Sequence, residues 1–199
     1  MSQNSETVAS PSPVVSPPPG AASSLLADWL AAEDAVRERH TCARPTAPPT
    51  REQFATLTGL QVMQGLLRGE MAPPSISHTL DFLLIEVNHG HAVFQGTPGP
   101  GHLNPMGGVH GGWYATLLDS ALGCCVHTAL PAGKGYTTLE LKVNLVRALT
   151  PKVQRVRAEG RVIHVGGQTA TADARLVGPD GKLYAHGSTT CLVFNLPTS

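Results

Sequence analysis

Hydrophobic and polar positions along the chain change their period twice. Between Ser23 and Arg39, Leu26, Trp29, Leu30 and Val36 recur at helical spacing and predict a short helix, ended by "TCARPTAPPT". Thr50 can cap a second helix, in which Phe54, Leu57, Leu60, Met63 and Leu67 form one apolar stripe that stops at Pro73 and Pro74. "LDFLLIEV" and "HAVFQGT" are extended runs joined by "NHG", the pattern of a hairpin. "GPGHLNPMGG" is too rich in turn formers for regular structure. Val109 to about Leu130 reads as a long, almost uncharged helix closed by Pro131 and Gly133. Period two follows. Leu139, Leu141, Val143 and Leu145 alternate with Thr138, Glu140, Lys142 and Asn144. Val156, Ala158, Gly160 and Val162 repeat the pattern, as do Ala170, Ala172, Ala174 and Leu176. "GPDG" then turns the chain into a last strand, Lys182 to Phe194.

Consecutive strands joined by tight turns predict an antiparallel sheet. A helix that is apolar all round has to be covered all round, and a strongly curved sheet wrapped about it does so. The expected class is α+β with one central helix. Residues 1–22, rich in Ser and Pro, are expected to be a disordered tail. Residues 23–72 form a helical extension and 73–196 the main domain.

Composition narrows the partners. The 199 residues carry no formal net charge and only 14% charged side chains, where a nucleic-acid-binding surface normally shows a basic excess. No apolar run is long enough to span a bilayer. The first residues lack the basic start and apolar stretch of a signal peptide, so a cytoplasmic location is expected. Cys42, Cys124, Cys125 and Cys191 include no Cys-x-x-Cys pair and read as small buried apolar residues. "HGH" at 89–91 falls at a turn with no carboxylate or cysteine spaced to complete a metal site, so no metal is expected.

The chemistry is expected around the start of the long helix. Asp119 is an acid whose helical neighbours, Ala115, Thr116, Leu122 and Gly123, bring no positive charge. An unpaired buried carboxylate costs several kcal/mol, so it calls for a reason. Upstream, "GGVHGG" removes Cβ atoms where a ligand would approach and exposes the N–H groups that open a helix, a setting for an anion or a polarised carbonyl oxygen. Gly111 and Asp119 are eight residues apart, roughly 12 Å along a helix axis. One carbonyl cannot touch both within one chain. Two copies with antiparallel helices would bring them together, making a dimer with shared sites.

"NPMGGVHGGWYATLLDSALGCCVHTALPAGKGYTTLELKVNLVRALTP" resembles the hotdog-fold acyl-CoA thioesterases of the PaaI-like (phenylacetic-acid-degradation) type, with similarity from about Pro73 to Phe194. The resemblance implies a long helix wrapped by an antiparallel sheet, and dimers, often paired into tetramers, with active sites at the dimer interface. It implies that Asp119 is the catalytic carboxylate, acting as general base or attacking the thioester itself. The Gly111 N–H polarises the thioester carbonyl from the partner subunit, and Asn104 helps to position the carbonyl or the water. Thr138, or Thr137 one residue earlier, supplies a hydroxyl that assists the carboxylate. His110 and Gly112 belong to the same motif, His110 as loop support. Gly108 stands where similar sequences often carry Thr, and no basic residue lies near Gln168 to meet CoA phosphates. Lys142, Arg147, Arg155 and Arg161 are the candidates for that contact. The implied reaction is hydrolysis of an aryl or medium-chain acyl-CoA, with no cofactor beyond the CoA of the substrate. A non-catalytic acyl-CoA-binding module and an enoyl-CoA hydratase are the alternatives, the latter lacking its usual Asp/His loop here.

Overall fold

The structure, a computed structural model, describes residues 21–45 and 47–196; the predicted tail, apart from its last two residues, lies outside them. Four helices come first: α1 (Ala21–Ala43), α2 (Arg51–Thr56), α3 (Gly59–Arg68) and α4 (Ser75–Thr79). The hairpin β1 (Phe82–Asn88) and β2 (His91–Gly96) follows, then a single 3-10 turn at Pro100–His102 and the long helix α5 (Gly111–Thr128). β3 (Lys134–Leu145), β4 (Val156–Val165), β5 (Thr169–Val177) and β6 (Leu183–Asn195) complete one antiparallel sheet in the order β1-β2-β4-β5-β6-β3.

Small residues let the sheet wrap α5 closely. Ala158, Ala170, Ala172 and Ala174 are buried against the helix, where Leu117, Leu118, Ala121 and Leu122 are fully enclosed. At Gly160 the approach is tightest: a Cβ there would lie 2.3 Å from the Ala121 carbonyl oxygen. Any side chain would have to push helix and strand apart. Tight packing on this scale is what makes the interior a single cluster rather than separate layers.

The two N-terminal helices expected from the sequence become three. α1 runs through Thr41 and Cys42 to Ala43, and ends where Arg44 turns to a positive φ of 48° ahead of Pro45. The stripe from Phe54 to Leu67 is broken at Leu57, which is extended, because Thr58 starts a new helix. Thr50–Gln53 and Thr58–Gln61 each form a reciprocal capping box, so the second start is written in the sequence as Thr-x-x-Gln. Cys42 is exposed, against the expectation of burial, because it sits on the outer last turn of α1. Burial pushes the Cys124 thiol up to about 12 and raises that of Cys125 as well.

The strand alternation also has a phase break. Thr138 pairs with Cys191 and Glu140 with Thr190, so Leu139 is an extra residue, a β-bulge, and is 60% exposed. Before the bulge Tyr136 and Thr138 face α5; after it Leu141 and Val143 do. The continuous Leu139-to-Leu145 face expected from alternation is therefore split between two sides of the sheet.

An ionic latch holds α1 on the outer face of β2 and β4. Glu33, 3% exposed, accepts hydrogen bonds from Arg155 (2.6 Å), Gln95 (2.8 Å) and Arg37 (2.9 Å). Arg157 donates to Gln95 and lies 4.5 Å over the Trp29 ring. Burial alone would raise the Glu33 pKa, but the donors outweigh it and hold the carboxyl below its ordinary 4.5. Removing the carboxylate would leave the part-buried Arg155 guanidinium without its counter-ion, with only the Gln154 carbonyl to accept from it, while Gln95 keeps Trp29 and Arg157. Glu33→Ala is therefore expected to cost about 3 kcal/mol in urea unfolding at pH 7. A depressed carboxyl stabilises above its unfolded pKa and stops doing so as pH falls through its folded one. The difference between wild type and variant should thus shrink well below pH 4.5.

Candidate active site

The loop before α5 is tied down by its own side chains. Asn104 Oδ1 accepts the N–H groups of Met106 (2.9 Å) and Gly108 (3.2 Å), and its backbone N–H donates to the Gly108 carbonyl. Val109 donates to the Leu149 carbonyl, while the buried Tyr114 hydroxyl accepts from the Leu149 N–H at 2.6 Å. The stretch 145–149 is thereby fastened over the helix start. Tyr114 is the pin.

His110 is the N-cap of α5. Its Nδ1 accepts the Gly112 N–H at 2.9 Å, as a support of the loop would, and so engages the Gly112 donor. Among the described residues the Gly111 N–H has no acceptor, and neither has the Asn104 side-chain amide nitrogen. Both residues line one hollow of about 330 Å³, with Tyr114, Leu145 and Arg147 on its other walls. Free donors at a helix N-terminus make that hollow a place for a partly negative oxygen.

Asp119 lies elsewhere, two turns along α5 and outside that hollow. It accepts the Thr138 hydroxyl at Oδ1, 3.2 Å away. Thr137 points to the other side of β3, is exposed and makes no such bond, so of the two threonines it is Thr138 that meets the acid. The acid itself is only half-buried. It belongs to a partly exposed stripe of α5 that runs through Gly111, Gly112, Ala115, Thr116, Asp119 and Ser120. Along the stripe, Thr116 and Ser120 donate back to the carbonyls one turn earlier. In one chain, then, the greasy helix is left uncovered where its acid sits.

Other candidates are sorted by their partners. Arg155 is committed to Glu33, so it is withdrawn from the possible CoA contacts. Arg147 stands beside Gly111 in the hollow, and Lys142 and Arg161 are exposed. Of the two histidines in "HGH", His91 is the first residue of β2. It is half-buried, 3.5 Å from Glu86, and its pKa is lowered by burial and then by Arg161, while His89 is exposed. Among the described residues no three His, Cys, Asp or Glu side chains gather as a metal-holding group, and no helix is long and apolar enough to cross a membrane.

Helix, sheet order and loop are those of the hotdog fold, and comparison with known proteins agrees. Residues 106–185 match the Thioesterase superfamily. A protein of Ralstonia eutropha JMP134, named as a phenylacetic acid degradation-related thioesterase, superposes with a TM-score of 0.60 at 27% identity, over 65% of this chain and 98% of its own. A single-residue variant of the phenylacetic acid degradation protein PaaI from Thermus thermophilus gives 0.54 at 26% identity, over 60% of this chain and 98% of that one. A Halobacterium salinarum protein named for esterase activity is 36% identical over 83 residues, which is 41% of this chain. That stretch spans about half the length of the Halobacterium protein. The superfamily match includes His110, Gly111, Asp119 and Thr138 and begins after Asn104.

If Asn104 organises the loop as its two accepted hydrogen bonds require, Asn104→Ala frees the Met106 and Gly108 amides. Their hydrogen exchange should accelerate about fivefold, in line with about 1 kcal/mol per lost bond, while amides of Leu117–Ala121 keep their protection. Unchanged exchange at both amides would show that the loop is held by other means.

Proposed function

We propose that the chain hydrolyses acyl-CoA thioesters to a free acid and CoA, in a dimer whose two sites each combine residues of both copies. The observation that carries this reading is the separation just described. Gly111 and Asn104, each with an unused N–H donor, line one hollow at the start of α5, while the Asp119–Thr138 pair lies about 12 Å further along the same helix. A second copy, packed antiparallel along the half-exposed stripe, brings its Asp119 to the first copy's Gly111. The stripe is covered at the same time, and its Gly, Ala, Thr and Ser residues let a second helix approach closely.

In that arrangement the thioester carbonyl oxygen accepts from the Gly111 N–H and the Asn104 amide, which become more favourable as negative charge develops on it. Thr138 donates to Asp119 Oδ1, so Oδ2 is free to take a proton from water. The water oxygen bonds to the carbonyl carbon, giving a tetrahedral intermediate. Its collapse breaks the C–S bond and releases CoA as the thiol with the proton that Asp119 holds. An aryl or medium-chain acyl group is the expected substrate, and Arg147, an exposed residue lining the hollow, is the candidate partner of a CoA phosphate.

Two substitutions separate the roles. Asp119→Ala should lower thiol release from an acyl-CoA panel that includes phenylacetyl-CoA by about 10²- to 10⁴-fold. Gly111→Pro deletes the N–H at the first helical position, where proline is tolerated, after a residue already extended at φ −65°, ψ 138°; its added Cβ would lie 2.9 Å from Leu145 Cδ1, the movable end of that side chain. It should lower kcat by about 10²- to 10³-fold with little change in unfolding. Normal turnover in Asp119→Ala would overturn the proposal, and no turnover in wild type would favour a module that binds acyl-CoA without cleaving it.

A further inference from the structure

We propose that the hydrocarbon tail of the acyl group occupies a second cavity, of about 600 Å³, which the N-terminal helices close over α5. This rests on the reading of the chain as an acyl-CoA hydrolase and says which part of it selects the acyl group. Ser120 and Cys124 form the floor, the first of them directly after Asp119. Phe82 and Phe94 of the hairpin and Leu66 of α3 make the wall, and Val36 and Thr41 of α1 the roof.

Three features suit this space to an apolar chain. Its size falls among ligand cavities, roughly 300–1,000 Å³, and far above the voids that close packing leaves. Its floor offers no charge or free donor: the Ser120 hydroxyl donates back to the Thr116 carbonyl, and the Cys124 thiol is kept neutral by burial. Its charged lining residues, Arg37 and Asp81, are half-exposed and pair with each other at 3.1 Å, and His40 and His78 line it beside them.

The roof is also fixed in place. The Glu33 network clamps α1 to β2 and β4 one turn before Val36, and Arg39 donates to the Leu67 carbonyl of α3 at 3.3 Å. Depth is therefore set by side chains on a held helix, and the extension outside the superfamily match serves to measure the acyl chain. Proximity supports the same assignment. The Asp119 charge is felt at Cys124, where it raises the thiol pKa further, so floor and carboxylate are neighbours.

The test compares kcat/KM for acetyl-, hexanoyl- and decanoyl-CoA in wild type, Thr41→Trp and Leu66→Ala. Filling the roof with Trp should lower the decanoyl-to-acetyl ratio about tenfold or more, and enlarging the wall with Ala should raise it for chains longer than the wild-type optimum. A merely structural effect would move all substrates alike, and parallel changes, or none, overturn the proposal. A second arm does not depend on turnover: decanoate should displace a fluorescent fatty acid from wild type and fail to do so from Thr41→Trp. If no thioester is hydrolysed but decanoate binds in this way, the hydrolase reading fails and the cavity assignment stands. If neither wild type nor variant binds decanoate, the cavity assignment fails whatever the chain hydrolyses.

Discussion

The contact between α5 and the sheet is the constraint on which the rest of the structure depends. Gly160 brings β4 almost onto the Ala121 carbonyl, and alanines on β4 and β5 keep the same clearance along the helix. At that distance the sheet can curve around a helix that has Asp119 as its one charged side chain outside histidine. α3 then packs on the side of α5 that the sheet leaves open, and α1 packs against α3 and β1. What remains uncovered is one stripe at the N-terminal half of α5, and it holds both the Gly111 donor and the Asp119 carboxylate.

Rigidity of the helix sets the chemistry. Two groups on one straight helix cannot converge on one carbonyl, so either they serve different ends or a second helix supplies the complement. The β3 bulge at Leu139 matters for the same reason. Without the extra residue, the strand could not turn Thr138 toward Asp119 and also turn Leu141 and Val143 toward the core. β3 is an edge strand, and Leu139 on its outer side and Leu145 beside Gly111 stay 60% and 53% exposed, as in a surface that a second copy would cover.

Period and turn chemistry make most of the fold legible. The hairpin, the long helix, the antiparallel strands and the resemblance carried by "NPMGGVHGGWYATLLDS" all lead to the hotdog arrangement that the structure has. The bulge is hidden because "TTLELKVNL" satisfies strict alternation as written, and only pairing with β6 reveals the extra residue. The break at Thr58 escapes notice because an apolar stripe can run straight through a capping box. Arg155 looks like a candidate CoA contact because its partner, Glu33, is 122 residues away in the sequence and no local pattern announces it. The setting of Asp119 is half legible: its isolation from positive charge is plain, but its half-exposure in a single chain depends on where the sheet stops.

The sharing of each site between two copies is tested most directly by mixing two inactive variants. Asp119→Ala and Gly111→Pro, co-expressed with different tags, give mixed dimers in which one site has both native groups and the other has neither. Random pairing makes half of the dimers mixed, so the pool should recover about a quarter of wild-type thiol release, and purified mixed dimers about half. No recovery in purified mixed dimers would contradict a site built from the Gly111 of one copy and the Asp119 of the other.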